Sequence, residues 1–254
     1  MSIQSEATEA ARLRLYAHTV GVVNGVRNSV GTDPVIGLPG NEEGTGTGVA
    51  EFGANITSSR RRNTSQRDIL EAPALTYPNF NYRIYRCGWE DLALVTVPPE
   101  AAGPGCEFFR IGADWIDPTQ GETVNILGFP ISNSVLVDTK QVGAVIHRAI
   151  ALTPDDFSAE VLPSPIEEQR KYTFTSFNDE RHYLIPHMGV TKGKHPRGFS
   201  GAAAWVESNE GQIVWTARFK FAGICTCRYK SGAIEQVVKA SVVKQFLEEA
   251  LGPE

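Results

Sequence analysis

Short runs in which apolar and polar residues alternate recur along this chain, separated by clusters of Gly, Pro, Asn and Asp. Tyr82-Arg83-Ile84-Tyr85-Arg86 alternates as a half-buried strand does, whereas residues 92–97 form an apolar run stopped by Pro98-Pro99, the mark of a buried strand. Val124-Asn125-Ile126-Leu127-Gly128-Phe129-Pro130 reads as a strand that ends in a turn. The same signals predict strands at residues 19–23, 49–52, 134–137, 143–152, 172–177, 202–206, 213–219, 221–227 and 233–238. Short strands at this spacing predict an all-β barrel or sandwich. Helical period appears near the two ends. Residues 4–16 are rich in Glu, Ala, Arg and Leu, with Ala10, Leu13 and Tyr16 on one face; residues 241–251 put Val242, Phe246 and Leu247 on one face before the stop at Gly252-Pro253. Segments 28–43 and 58–71 read as loops, and 101–121, where Gly, Pro and Asp recur, reads as the connection between two halves, residues 1–110 and 111–254.

Length and composition narrow the function classes. A chain of 254 residues with 41% hydrophobic and 21% charged residues can bury a sizeable core as one unit or as two barrels. The net charge of −5 supplies no basic field for phosphates, so nucleic acid is not an expected partner, and Arg60-Arg61-Arg62 reads as a solvated loop. No run is apolar enough to span a bilayer, so no membrane partner is expected. The start, Met1-Ser2-Ile3-Gln4-Ser5-Glu6, is polar and acidic, unlike a secretory leader, which leads us to expect a cytoplasmic protein with reduced thiols at Cys87, Cys106, Cys225 and Cys227. In a regular strand Cys225 and Cys227 share a face, and without a matching C-x-x-C or histidine pair they do not form a zinc site. Neither a metal nor a cofactor is expected, and oligomeric state is open.

The chemistry concentrates in His195-Pro196-Arg197-Gly198-Phe199-Ser200-Gly201. A serine between glycines, followed by small residues, can sit on a tight turn with its hydroxyl exposed and backbone N–H groups alongside. Acyl transfer needs that arrangement: a base to take the hydroxyl proton and fixed donors to receive the charge on the carbonyl oxygen. A loop between strands is the plain alternative for so short a motif. The glycines of Gly44-Thr45-Gly46-Thr47-Gly48 do not make a phosphate loop, because no G-x-x-x-x-G-K-[ST] is present and no apolar helix follows; they read as the entry to a strand. The carboxylate pairs Asp155-Asp156 and Glu167-Glu168 lie in polar runs and read as solvated loop or helix face.

In order along the chain, Gly44 to Gly48, Asp91-Leu92-Ala93-Leu94, Gly128-Phe129-Pro130, the G-F-S-G turn with Trp205 soon after, and the terminal helix resemble the landmarks of trypsin-like, chymotrypsin-fold serine proteases of the bacterial type. The resemblance implies two antiparallel six-stranded β-barrels with short N-terminal and C-terminal helices, and a polypeptide substrate or ligand in the cleft between the barrels. It implies Ser200 as nucleophile, the Gly198 and Ser200 amides as oxyanion donors, and Asp91 as the acid of the triad. Apolar Phe221, Ala222, Gly223 and Ile224 along the implied specificity pocket, and Lys194 where an acid would select basic residues, point to a hydrophobic preference.

The base is where the chain departs from the pattern. Ile56-Thr57-Ser58-Ser59-Arg60 is the best match to the segment that carries the histidine, and it places Arg60 in that slot, where a permanently protonated guanidinium is no general base. His18, in Ala17-His18-Thr19-Val20, faintly resembles the histidine motif but precedes the Gly-Thr strand. His147 falls within a strand, His195 borders the serine turn, His182 and His187 read as exposed loop residues, and Lys192 and Lys194 would need burial to serve. Two readings follow: a serine endopeptidase with a displaced base, and a pseudoprotease that binds peptides without turnover. A β-barrel interaction module that carries the motifs by chance is the third.

Overall fold

The computed structural model describes residues 19–24, 29–37, 46–49, 70–72, 83–87, 89–97, 109–110, 115–128, 135–142, 145–152, 155–187, 199–208, 218–229 and 234–251. Its elements run β1 (Thr19–Asn24), β2 (Ser29–Gly37), β3 (Gly46–Val49), β4 (Leu70–Ala72), β5 (Arg83–Arg86), β6 (Ala93–Val97) and β7 (Phe109–Arg110). They continue with β8 (Thr123–Gly128), β9 (Val135–Val142), β10 (Val145–Leu152), β11 (Asp155–Glu160), α1 (Glu167–Tyr172) and β12 (His182–Pro186). The last are β13 (Ala203–Ser208), β14 (Arg218–Tyr229), β15 (Ile234–Lys239) and α2 (Ala240–Leu251).

One sheet has the order β1-β2-β3-β6-β5, with β7 parallel to β2 at its side; a second has the order β11-β8-β13-β14-β15-β12; and β4-β10-β9 form a third. The other strand pairings described are antiparallel, and an isolated parallel bridge joins Trp115 to Phe221. The result is a mainly antiparallel β fold with few helices, as expected. Among the described residues the pairings give two six-stranded sheets and a three-stranded one. The predicted helix at residues 4–16 lies outside the described residues.

Most strands fall where alternation put them, and the departures have local causes. The turn-rich segment 28–43 contains β2, because β1 and β3 supply partners on both sides, from Thr19 opposite Pro34 to Gly37 opposite Gly46. Residues 172–177 are not a strand. Thr173 N–H donates to Gln169 O and Phe177 N–H to Phe174 O, so the helix ends and a turn follows. Phe174 and Phe177 are both buried with Leu184 and Tyr229, three residues apart as a turn requires and a strand would not allow. Asp155-Asp156, read as loop or helix face, instead open β11, paired residue for residue with β8 from Asp155–Gly128 to Glu160–Thr123. Glu167 and Glu168 do occupy the first turn of α1.

The second sheet is buried on both faces, which explains the unbroken run of small residues after Ser200. Leu127, Ala203, Trp205, Phe221 and Val238 face a core shared with Leu92, Leu94 and the Val242, Val243, Phe246 and Leu247 stripe of α2. On the other face Ile126, Ala202, Ala204, Ala222, Cys225 and Val237 pack with Tyr183, Ile185 and Phe199. The first core therefore joins residues from both sides of the 110/111 division.

Strand β14 carries two register shifts. Ala204 faces Gly223 but Trp205 faces Phe221, so Ala222 is bulged; Cys225 faces Val237 but Cys227 faces Gln236, so Thr226 is bulged. Each added residue reverses the alternation that follows. The bulge at Thr226 breaks the regular alternation on which a shared face for Cys225 and Cys227 would rest.

Candidate active site

The turn that bears Ser200 is built by its neighbours. Ala202 N–H donates to Phe199 O at 2.8 Å, and Gly201 has φ +84, the conformation of the third residue of a type II turn. Gly201 N–H donates to Cys225 O at 2.7 Å and Cys225 N–H to Ala202 O at 2.9 Å, which ties the turn to β14. Phe199 is buried beneath it, edge-on to Phe157 with ring centroids 5.4 Å apart. Ser200 is exposed, and its hydroxyl has no hydrogen-bond partner among the described residues. The turn thus presents the hydroxyl outward on a backbone held from two directions. Gly198, the other implied oxyanion donor, lies outside the described residues, as do Arg60, His18, Lys192, Lys194 and His195.

Asp91 sits in the β5–β6 loop, closed by Cys87 N–H donating to Leu92 O at 3.0 Å. It is exposed, whereas the acid of a working triad is buried against its imidazole. Its neighbour Leu92 is buried in the same core as Ala203, three residues after Ser200. Phe199 and Ala202, which flank Ser200, pack in the core on the other face of the second sheet.

His182 and His187, expected as exposed loop residues, are 3% and 5% exposed and flank the body of β12. Pairing with β15, from His182–Val238 to Pro186–Ile234, draws the segment into the sheet. His182 Nδ1 accepts the Asn178 N–H at 3.0 Å, so the ring proton is on Nε2, which donates to Glu90 Oε2 at 2.8 Å. Both nitrogens are engaged, and this imidazole has no site left with which to take a proton from Ser200. His187 Nδ1 lies 3.1 Å from Glu235 Oε1, out of line for a hydrogen bond, and both side chains are buried. Its ring stands edge-on to Phe157 and Phe199 with centroids 4.6 and 5.6 Å away. Sequence reading did not single out Glu90, Arg181 or Glu235. Glu235 had a signal in its place within the predicted strand 233–238; Glu90, beside Asp91, had none.

Cys87 and Cys225 are free thiols. Burial pushes the Cys225 thiol well above its ordinary range, with the Glu235 charge adding to it, and burial likewise raises Tyr183. Burial also raises Cys87, against backbone N–H groups of Trp89 and Glu90 that favour its thiolate. No group of three or more His, Cys, Asp or Glu that could hold a metal occurs among the described residues.

The chain has a fold of the chymotrypsin type, shared with solved structures over most of its length. Among solved structures, an inactivated protease paralogue of the scabies mite is similar over 94% of this chain and 96% of its own, at 11% identity and a TM-score of 0.52. A mutant of human heparin binding protein is similar over 94% of each chain, at 13% identity and a TM-score of 0.52. A second inactivated paralogue from the scabies mite is similar over 94% of this chain and 95% of its own, at 11% identity and a TM-score of 0.50. No family model and no curated protein sequence matches the chain.

Proposed function

We propose that this chain is a trypsin-like serine endopeptidase that hydrolyses polypeptides through an acyl-enzyme on Ser200, with the peptide held in the cleft between its two halves. The observation that carries this reading is the exposed Ser200 on a turn fixed by Phe199, Gly201 and the Cys225 carbonyl. In the step proposed, the Ser200 oxygen bonds to the substrate carbonyl carbon while its proton passes to a base. Charge on the carbonyl oxygen is received by the backbone amides of Gly198 and Ser200, and the proton returns to the leaving amine as the peptide bond breaks. Water then repeats the attack and releases the acid.

A second reading is a pseudoprotease of the same fold that binds extended peptides by strand addition. Three observations favour it: Arg60 in the slot of the base, the exposure of Asp91, and the engagement of His182 and His187 with Glu90 and Glu235. Proteins described as inactivated proteases share the fold, so the fold is compatible with either.

A fluorophosphonate probe separates the two, because its covalent capture requires an activated serine. Labelling of the native chain that Ser200→Ala abolishes supports the peptidase, and successive histidine replacements then identify the base. No labelling of a folded protein, as shown by its circular dichroism, refutes it; Arg60→His is the next variant to test.

A further inference from the structure

We propose that Glu90, Arg181 and His182 form a clasp between the two six-stranded sheets that positions the 87–92 loop, and with it Asp91, against the half of the molecule that bears Ser200. The loop belongs to the first sheet, between β5 and β6, and the two basic partners stand at the start of β12 in the second. The Glu90 side chain is only 6% exposed, and each of its oxygens has its own partner: Oε1 lies 2.9 Å from Arg181 Nη1, and Oε2 accepts from His182 Nε2 at 2.8 Å. Arg181 Nη1 also donates to Trp89 O at 2.6 Å, so one guanidinium holds the loop by side chain and backbone together.

The second-sheet side is held in turn. His182 is oriented by the Asn178 N–H, and the Arg181 carbonyl accepts the Lys239 N–H at 2.9 Å, where β15 meets α2. A carboxylate so withdrawn from water is tolerable only when paired, and removal of one partner leaves the other uncompensated. His182 is neutral in this arrangement, since its Nδ1 is an acceptor, so the charges of Glu90 and Arg181 balance. Glu90→Gln is therefore a sharp perturbation at constant shape. It removes the charge and turns an amide NH2 toward one of two donors, leaving one of the loop's anchors unmade.

Cys87 gives the clasp its own reporter. Its thiol is partly buried in the same loop, and the backbone N–H groups of Trp89 and Glu90 bear on it, while Cys225 is buried within the second sheet. Iodoacetamide alkylation, read at each cysteine by mass spectrometry, should rise about tenfold at Cys87 in Glu90→Gln, the loss expected for one charge-assisted hydrogen bond, with Cys225 as protected as in the native chain. Arg181→Lys, which keeps the charge but is shorter than the side chain whose Nη1 reaches both Glu90 Oε1 and Trp89 O, should give a smaller rise. It also serves as the test variant if Glu90→Gln exposes Cys225 and so proves globally unfolded. Unchanged Cys87 labelling in a folded variant overturns the clasp.

The positioning role rests on the peptidase reading and has a separate readout. In Glu90→Gln the maximal rate of fluorophosphonate capture at Ser200 should fall about tenfold with the probe's half-saturating concentration unchanged. A merely structural clasp would move Cys87 alone and leave the capture rate intact, which overturns positioning. Failure of the native chain to react with the probe would count against the peptidase, while the Cys87 experiment would still decide the clasp.

Discussion

Gly223 lies between the two bulges of β14, at φ +143, a conformation that residues with a Cβ rarely adopt. Its surroundings close it further. A Cβ added there would fall well inside contact distance of the Val238 carbonyl oxygen and 3.1 Å from both the Val238 carbonyl carbon and Val237 Cγ1. The oxygen belongs to the paired backbone of β15 and cannot swing aside as a flexible side chain would. Gly223→Ala therefore incurs backbone strain of about 1–3 kcal/mol and overpacking of about 1–3 kcal/mol. Together these are about 2–6 kcal/mol, a large part of the roughly 5–15 kcal/mol that stabilises an ordinary domain.

Gly121 supplies the control. It has φ +84 in a turn closed by Glu122 N–H donating to Thr119 O, but a Cβ there would meet nothing within 4 Å. Gly121→Ala should cost only the backbone term, about 1–2 kcal/mol. Urea unfolding of both variants against the native chain, with m unchanged, measures the difference directly. If Gly223→Ala costs no more than Gly121→Ala, the close approach of β14 to β15 does not exist as described, and the register that places Cys225 beneath the serine turn is wrong with it.

Two further outcomes follow from the same framework. Cys225 and Tyr183 have thiol and phenol groups raised by burial, so above about pH 8.5 the unfolded chain releases protons that the folded chain retains. Stability should then fall with rising pH, by up to about 1.4 kcal/mol per pH unit for each such group; a flat urea midpoint from pH 8 to pH 10.5 would contradict the burial of both. At the start of α2, Asp117 accepts the Ser241 N–H at 3.0 Å and the Ser241 hydroxyl at 2.6 Å. Asp117→Ala should lower stability by about 1 kcal/mol, and a thermal midpoint equal to that of the native chain would show that this cap does not matter.

Period and punctuation carried most of the fold. β5, β6, β8 and β15 appeared from alternation or apolar runs, and Val242, Phe246 and Leu247 of α2 are buried as their spacing required. What escaped depended on partners remote in sequence. β2 exists because β1 and β3 flank it, and no local feature of its Gly and Pro residues announces that. The bulges of β14 lie where it pairs with β13 and β15, so its register could not be read from its own alternation. At the site, the serine turn was legible because its determinants are local, Phe199 and Gly201 among them. The fates of His182 and His187 were not, because Glu90 and Glu235 lie 92 and 48 residues away in the chain.

The local character of that turn also limits what its sequence means. Gly201 answers to a positive φ, Phe199 to burial beside Phe157, and Ala202 to its burial in the core that also holds Phe199. Each is required by packing, and none refers to the Ser200 hydroxyl, which makes no hydrogen bond among the described residues. A G-F-S-G-A turn would therefore fold equally well in a chain that had lost catalysis, and Ser200→Ala should leave the urea midpoint where it is. Activity must then be decided by groups that address the hydroxyl, and two of the three histidines in the described residues, His182 and His187, lie against glutamates instead. The Ser200 turn shows where an acyl-enzyme would form; whether one does depends on a base that its own sequence does not encode.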